Sequence, residues 1–225
     1  MIRRFIVLFS LLPLLVLTAA AQQEGNPENW CRGGSFPKDS EVFSIGTVKA
    51  SKAYFYNDYE DDCPTSESCR EKSYVVSGDK VVVARNLKGF ACSWYISAKG
   101  TSTTGWIKSS MLEMTEADQM PKLSAWLGEW KYADNSISLT QNKLPGTLNV
   151  TGEAFWKGLG DNIHIGELDG LSEPKGNLLK FGENATDEYA CKATIHLVGS
   201  FLVVADNMYC GGANVTFTGV YRKKR

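Results

Sequence analysis

No excess of either charge marks this chain: its 225 residues carry 24 Lys+Arg against 25 Asp+Glu, and the one dense basic run is Arg222-Lys223-Lys224-Arg225. A protein that grips a phosphate backbone shows a basic excess or stripe, so nucleic acid is not an expected partner and the terminal run reads as a charged end. Histidine is scarce, with His164 and His196 alone, and no Cys-x-x-Cys pair occurs, which leaves a zinc site without its usual spacing. Gly-rich phosphate loops and calcium-loop spacings are also missing, so no nucleotide, metal or other cofactor is expected. After residue 21 no apolar run approaches the roughly 20 residues that span a bilayer. Proline is sparse, seven against 21 glycines, while Thr, Val and Tyr recur in short runs; this composition favours strands and turns over long helices.

What is present begins with a leader. Met1-Ile2-Arg3-Arg4 is a positive start, residues 5–17 are apolar apart from Ser10 and Pro13, and Thr18-Ala19-Ala20-Ala21 closes on small side chains. This is the pattern of a secretory signal peptide over residues 1–21, cleaved to leave Gln22 first. No cysteine stands at the cleavage point, so the product is expected to be secreted or periplasmic with no membrane anchor. It would carry 22 basic against 25 acidic residues, a net charge of −3.

Six cysteines remain after cleavage, and an even number in an oxidising compartment favours disulfides. Cys191 and Cys210 sit alone in the last third and most simply pair with each other. The first four allow three pairings. The preferred one joins Cys63 to Cys69 across a short polar loop and Cys31 to Cys92, which ties the N-terminal tail to the unit that follows.

Two small all-β units are legible. After an N-terminal extension over residues 22–44, residues 45–114 read as short strands: Tyr74-Val75-Val76, the turn Ser77-Gly78-Asp79, then Lys80-Val81-Val82-Val83, with Trp94-Tyr95-Ile96 and Trp106-Ile107 further on. Residues 115–125, polar and carrying Pro121, form a linker with room for one helical turn. From residue 126 to 225 the pattern alternates: Ile137-Ser138-Leu139-Thr140, Thr147-Leu148-Asn149-Val150, Ile163-His164-Ile165 and Val215-Thr216-Phe217-Thr218 each place apolar side chains on one strand face. Six to eight strands in about 100 residues suit a small antiparallel barrel or sandwich.

The run Val48-Lys49-Ala50 with Ala53-Tyr54-Phe55-Tyr56, the Gly78-Asp79-Lys80-Val81 turn, Trp94-Tyr95-Ile96 and Thr104-Gly105-Trp106-Ile107-Lys108-Ser109-Ser110-Met111-Leu112 resembles a bacterial SH3 domain over about 70 residues. The resemblance implies a five-stranded β-barrel of exported proteins that binds peptidoglycan or another extended peptide. It places Tyr54, Tyr56 and Tyr59 among groove aromatics and Trp94 at the groove tryptophan. Alternation lets only Tyr54 and Tyr56 of that strand share a face. Two departures stand out: Lys108 occupies the position of a proline in eukaryotic peptide-binding SH3 domains, and the Cys63–Cys69 insertion enlarges the loop beside the groove. Glu60-Asp61-Asp62 and Glu67 give that loop a negative field.

The second unit opens with Trp126-Leu127-Gly128-Glu129-Trp130, whose Gly-x-Trp resembles the start of lipocalin-like and avidin-like barrels. The resemblance implies a basic residue near the end packed over the opening tryptophan, here Arg222 over Trp130. Small exported barrels of this type include lysozyme inhibitors.

Catalytic chemistry has thin support. His164, flanked by Ile163 and Ile165, reads as pointing away from the core, and Glu167 follows closely enough for a His-carboxylate pair; no Ser or Cys nucleophile accompanies them. Asn149, Asn184 and Asn214 match the N-glycosylation acceptor pattern but read as strand and turn residues. The resulting expectation is a non-enzymatic binding protein of peptidoglycan or an extended peptide, or of a secreted protein partner. The alternative is an inhibitor of an exported lysozyme-type hydrolase, and the remaining one is a hydrolase using His164 and Glu167.

Overall fold

The computed structural model describes residues 25–224; the leader expected over residues 1–21 and the cleavage point at Gln22 lie outside the described residues. Among the described residues no helix is long and apolar enough to cross a membrane. The short alternating runs form strands, and the strands assemble into two antiparallel sheets.

The first sheet holds β1 (Ser44–Val48), β2 (Lys52–Tyr56), β3 (Arg70–Val76), β4 (Lys80–Leu87), β5 (Phe90–Ile96), β6 (Ser102–Lys108) and β7 (Leu112–Glu116), in the order β3-β2-β6-β5-β4-β1-β7. Its tight turns are chemically specified. Lys88 and Gly89, both with positive φ, join β4 to β5 in the two-residue geometry that matches strand twist. Gly78 supplies positive φ in the turn between β3 and β4, where the Asp79 carboxylate accepts from the Val76 amide at 2.9 Å. One face of the sheet closes over Val48, Phe55, Val75, Val81, Val83, Ile107 and Leu112. The other is also buried, with Val82, Cys92, Trp94 and Trp106. Two covered faces explain why Val81-Val82-Val83 is continuously apolar where a half-exposed strand would alternate.

The second sheet holds β8 (Gly128–Tyr132), β9 (Asn135–Gln141), β10 (Leu148–Lys157), β11 (Ile163–Ser172), β12 (Leu178–Phe181), β13 (Ala193–Val198), β14 (Phe201–Asp206) and β15 (Gly219–Lys223). Its order, β11-β10-β9-β8-β15-β14-β13-β12, is a meander curled back so that the last strand pairs with the first. At the remaining seam the Ser172 hydroxyl of β11 donates to the Lys180 carbonyl of β12 at 3.3 Å, so the sheet is a nearly closed barrel and not an open sandwich. Inward residues Trp130, Ile137, Leu139, Val150, Leu168, Ile195, Leu202, Val204 and Tyr221 fill it. Between the sheets runs a short connection with one helical turn, α1 (Leu123–Trp126).

The residues before β1 are mortar between the two sheets. Phe36, wholly buried, packs edge-on against Trp94 at 5.5 Å, and Phe43 lies 6.0 Å from Phe36. From the outer wall of the barrel Val198, Phe201, Val203 and Val220 complete this third cluster. Strand alternation sends these residues outward while Leu197, Leu202, Val204 and Tyr221 point in. All three expected disulfides form: Cys31–Cys92, Cys63–Cys69 and Cys191–Cys210. Three disulfides fit an oxidising, extracellular setting.

Candidate functional site

The N-terminal segment is built onto the first sheet residue by residue. Asn26 accepts from the Glu28 amide at 3.0 Å and so starts a single 3-10 turn over Pro27–Asn29. The buried Trp106 indole N–H donates to the Asn29 carbonyl at 2.7 Å, and the Arg85 guanidinium donates to the carbonyls of Glu28 and Trp30 at 3.0 and 2.6 Å. Cys31 is bonded to Cys92 in β5. Asp58, 3% exposed, then accepts from the Cys31 amide at 2.8 Å and from both Nε (3.1 Å) and a terminal nitrogen (3.0 Å) of Arg32. A buried carboxylate with a backbone donor and a guanidinium is well satisfied, and it fixes the segment against the loop after β2.

This covering decides which aromatics can meet a ligand. Trp94 is 2% exposed, with Gly33, Phe36 and Tyr132 against it, and Tyr56 is 4% exposed beneath Phe90. Both rings lie mostly in the core; Tyr56 reaches a groove beside Asp58 and Trp94 does not. Tyr59, at 56%, stands in solvent. Tyr54 shares the Tyr56 face, as alternation requires, and lies opposite Tyr74 of β3 with 5.6 Å between rings. Arg70 stacks over Tyr54 at 5.1 Å and Lys52 over Tyr74 at 4.6 Å, so that each of the two neighbouring rings carries its own cation.

Between the N-terminal segment and the β2–β3 hairpin lies a groove of about 400 Å³. Tyr56 and Gly105 contribute to its lining, together with Arg32, Asp58, Tyr59, Ser73 and Thr103. At Gly105 a Cβ would come within 3.1 Å of the Tyr56 carbonyl, so a side chain there would crowd the groove lining. Beside it Lys108, the residue that departs from the SH3 proline, donates to Glu67 at 2.8 Å and lies 5.2 Å from the Tyr56 ring. That hydrogen bond holds the Glu67 carboxyl below its ordinary range and the Lys108 ammonium above its own. The expected acidic field of the loop is therefore partly neutralised at Glu67.

The barrel changes three readings. The cation over Trp130 is Lys223, 5.2 Å from the ring and donating to the Ala125 carbonyl at 3.2 Å; Arg222 lies opposite Lys131 and points outward. The reason is parity: Tyr221 points inward, so Lys223, two residues on, returns to the interior side. His164 likewise shares the inward face of Gly166 and Leu168. Its ring lies 5.1 Å from Trp156, and its Nδ1 is 2.6 Å from the Ala213 carbonyl, while Ile163 and Ile165 face solvent. Glu167, three residues away on the same strand, is on the opposite face and opposite Glu153, so no His164–Glu167 pair forms. His196 is buried against Phe43, and burial pushes its imidazole below the usual histidine range.

Asp58 and Arg32 are groove residues that sequence reasoning misses. The signal that points to them is the Cys31–Cys92 link, which already places the tail beside the first unit. No family model matches the chain, and comparison with curated proteins and with solved structures finds no match.

Proposed function

We propose that this is an exported, non-enzymatic binding protein whose N-terminal unit, SH3-like in design, holds an extended peptide of the bacterial cell wall in the groove beside Tyr59. Three features support the SH3-like reading: the β4–β5–β6 meander, β1 paired to both β4 and β7, and the 3-10 turn Ser109–Met111 before the final strand. The observation that carries the binding reading is the groove itself. It sets an exposed tyrosine beside hydroxyls and a fixed guanidinium–carboxylate pair, a lining suited to a polar main chain with mixed charges. The exposed aromatic contact is then that of Tyr59, with Tyr56 in the groove wall; Tyr54 and Trp94 do not line the groove.

The test is co-sedimentation of the oxidised protein with purified peptidoglycan sacculi, beside a Tyr59→Ala variant checked for its fold by circular dichroism. Retention that falls at least about tenfold in the folded variant supports the reading, since a well-placed aromatic is worth that much. No retention of the wild type, or equal retention of both, contradicts it.

One observation favours the inhibitor alternative. The β10–β11 hairpin carries Leu159 at its tip, 96% exposed, as a side chain able to enter another protein's cleft. Slowing of a lysozyme by the wild type but not by Leu159→Ser would support it.

A further inference from the structure

A second cleft, of about 520 Å³, lies where the N-terminal segment meets the barrel, and its volume falls within the roughly 300–1,000 Å³ of small-ligand sites. Trp94 forms part of its wall, and the Trp94 indole N–H is buried without a hydrogen-bond partner among the described residues. The contrast with Trp106 and Trp130, whose N–H groups reach carbonyls at 2.7 and 3.0 Å, marks the omission. Trp126 shares it, but Trp126 belongs to the barrel core and not to the cleft. A buried donor without an acceptor is costly, and a ligand oxygen would remove that cost.

Backbone geometry supplies an independent sign. Of four non-glycine residues with left-handed backbone among the described residues, Lys88 serves the β4–β5 turn, while Ala133 (φ 48°), Met208 (φ 66°) and Asn214 (φ 66°) all line this cleft. Such conformations gather where a ligand is clamped, because the surrounding structure must hold them in place.

The chemistry of the wall is that of flat rings set among mostly neutral polar groups, with one cation, Lys38, and one anion, Asp134, in the lining. Tyr132, Phe155 and Trp156 provide aromatic surface. Trp156 is pre-positioned: His164 lies against its ring, and a Cβ at Gly158 would come within 2.7 Å of the outer edge of the indole, so a side chain there would push the ring aside. The Asn214 amide, which makes no side-chain hydrogen bond among the described residues, stands beside it, and Asp134 at the rim is already paired with Lys157 at 2.8 Å. Rings that offer apolar faces, an amide, a buried N–H and little net charge match a molecule with apolar C–H faces and a hydroxylated edge.

We propose that the cleft between the N-terminal segment and the barrel binds a neutral saccharide, one pyranose ring stacking on Trp156 and an oxygen of the sugar accepting from Trp94. The proposal stands apart from the tyrosine groove and does not depend on it.

Calorimetric titration of the oxidised protein with two probes, tri-N-acetylchitotriose and cellotriose, tests it. The expected result is saturable binding of at least one probe with a Kd of about 1 mM or tighter, weakened at least about tenfold in both Trp156→Ala and Asn214→Ala and unchanged in Tyr59→Ala. Which probe binds shows whether the N-acetyl group is needed. Absence of saturable binding by both probes, equal affinity in Trp156→Ala and Asn214→Ala, or loss in Tyr59→Ala would overturn it. Asn214 lies on an exposed loop, so its variant remains informative where Trp156→Ala disturbs the fold.

Discussion

Phe43 meets His196 edge to face, 5.2 Å between ring centroids, and this contact joins the segment before β1 to the outer wall of the barrel. Because burial lowers the His196 pKa, the unfolded chain takes up its proton before the folded one does. Stability contributed by the neutral ring is complete above the ordinary histidine value and declines as pH falls below about 6.5 towards the lower folded pKa. Melting temperatures should drop between pH 7.5 and pH 5.5, and His196→Phe should flatten that slope. The exposed carboxyls of lowered pKa, Glu129 and Glu183 among them, act at lower pH and leave this window to the histidine. An unchanged slope in the variant would exclude the seam as its origin.

Phe36 is, with Phe43, one of two fully buried phenylalanines that the N-terminal segment inserts into the seam. Its truncation leaves a cavity between two sheets that cannot both collapse onto it. Phe36→Ala should cost about 3–5 kcal/mol in denaturant unfolding. A loss below about 1 kcal/mol would show that the segment is not structural mortar.

The three disulfides close loops of very different length, with sequence separations of 61, 6 and 19 for Cys31–Cys92, Cys63–Cys69 and Cys191–Cys210. Loop-closure entropy gives roughly 4, 2 and 3 kcal/mol respectively. Paired Cys→Ser variants should lose stability in that order, measured by urea midpoints at constant m. Removing Cys31 and Cys92 should also expose Trp94 and Trp106 to quenchers, which the other two pairs should not.

Lys223, and not Arg222, carries the cation above Trp130. Lys223→Ala should therefore destabilise the barrel by about 1 kcal/mol, Lys223→Arg by little, and Arg222→Ala by less than about 0.5 kcal/mol. The reverse order would restore the expectation drawn from the Gly-x-Trp resemblance.

Much of this architecture is legible in the residues. Alternation around Ile137 and Val150 marks strands, turn glycines separate them, and the preferred cysteine pairings form; the alternating run Val215-Thr216-Phe217-Thr218, expected as strand, instead leads irregularly into β15. The seam is not legible, because residues 22–44 carry no period and the contacts of Phe36 and Phe43 are made with strands far along the chain. Trp94 illustrates the consequence: its place in a strand is plain, but which face its neighbours cover depends on a segment more than fifty residues earlier. Arg222 and Lys223 differ by one position, and in a strand one position exchanges inside for outside. His164 turns inward by parity with Gly166 and Leu168, and the Ala213 carbonyl its Nδ1 meets belongs to a loop whose path no local pattern encodes.

The central claim is that the groove beside Tyr59 binds an extended cell-wall peptide. An NMR titration of the oxidised protein with a soluble peptidoglycan stem peptide tests it most directly. The account predicts fast-exchange shifts confined to Asn57, Tyr59, Ser73, Thr103 and their neighbours, lost in Tyr59→Ala. Shifts clustered on the β10–β11 hairpin around Leu159, or no shifts at saturating peptide, would contradict it.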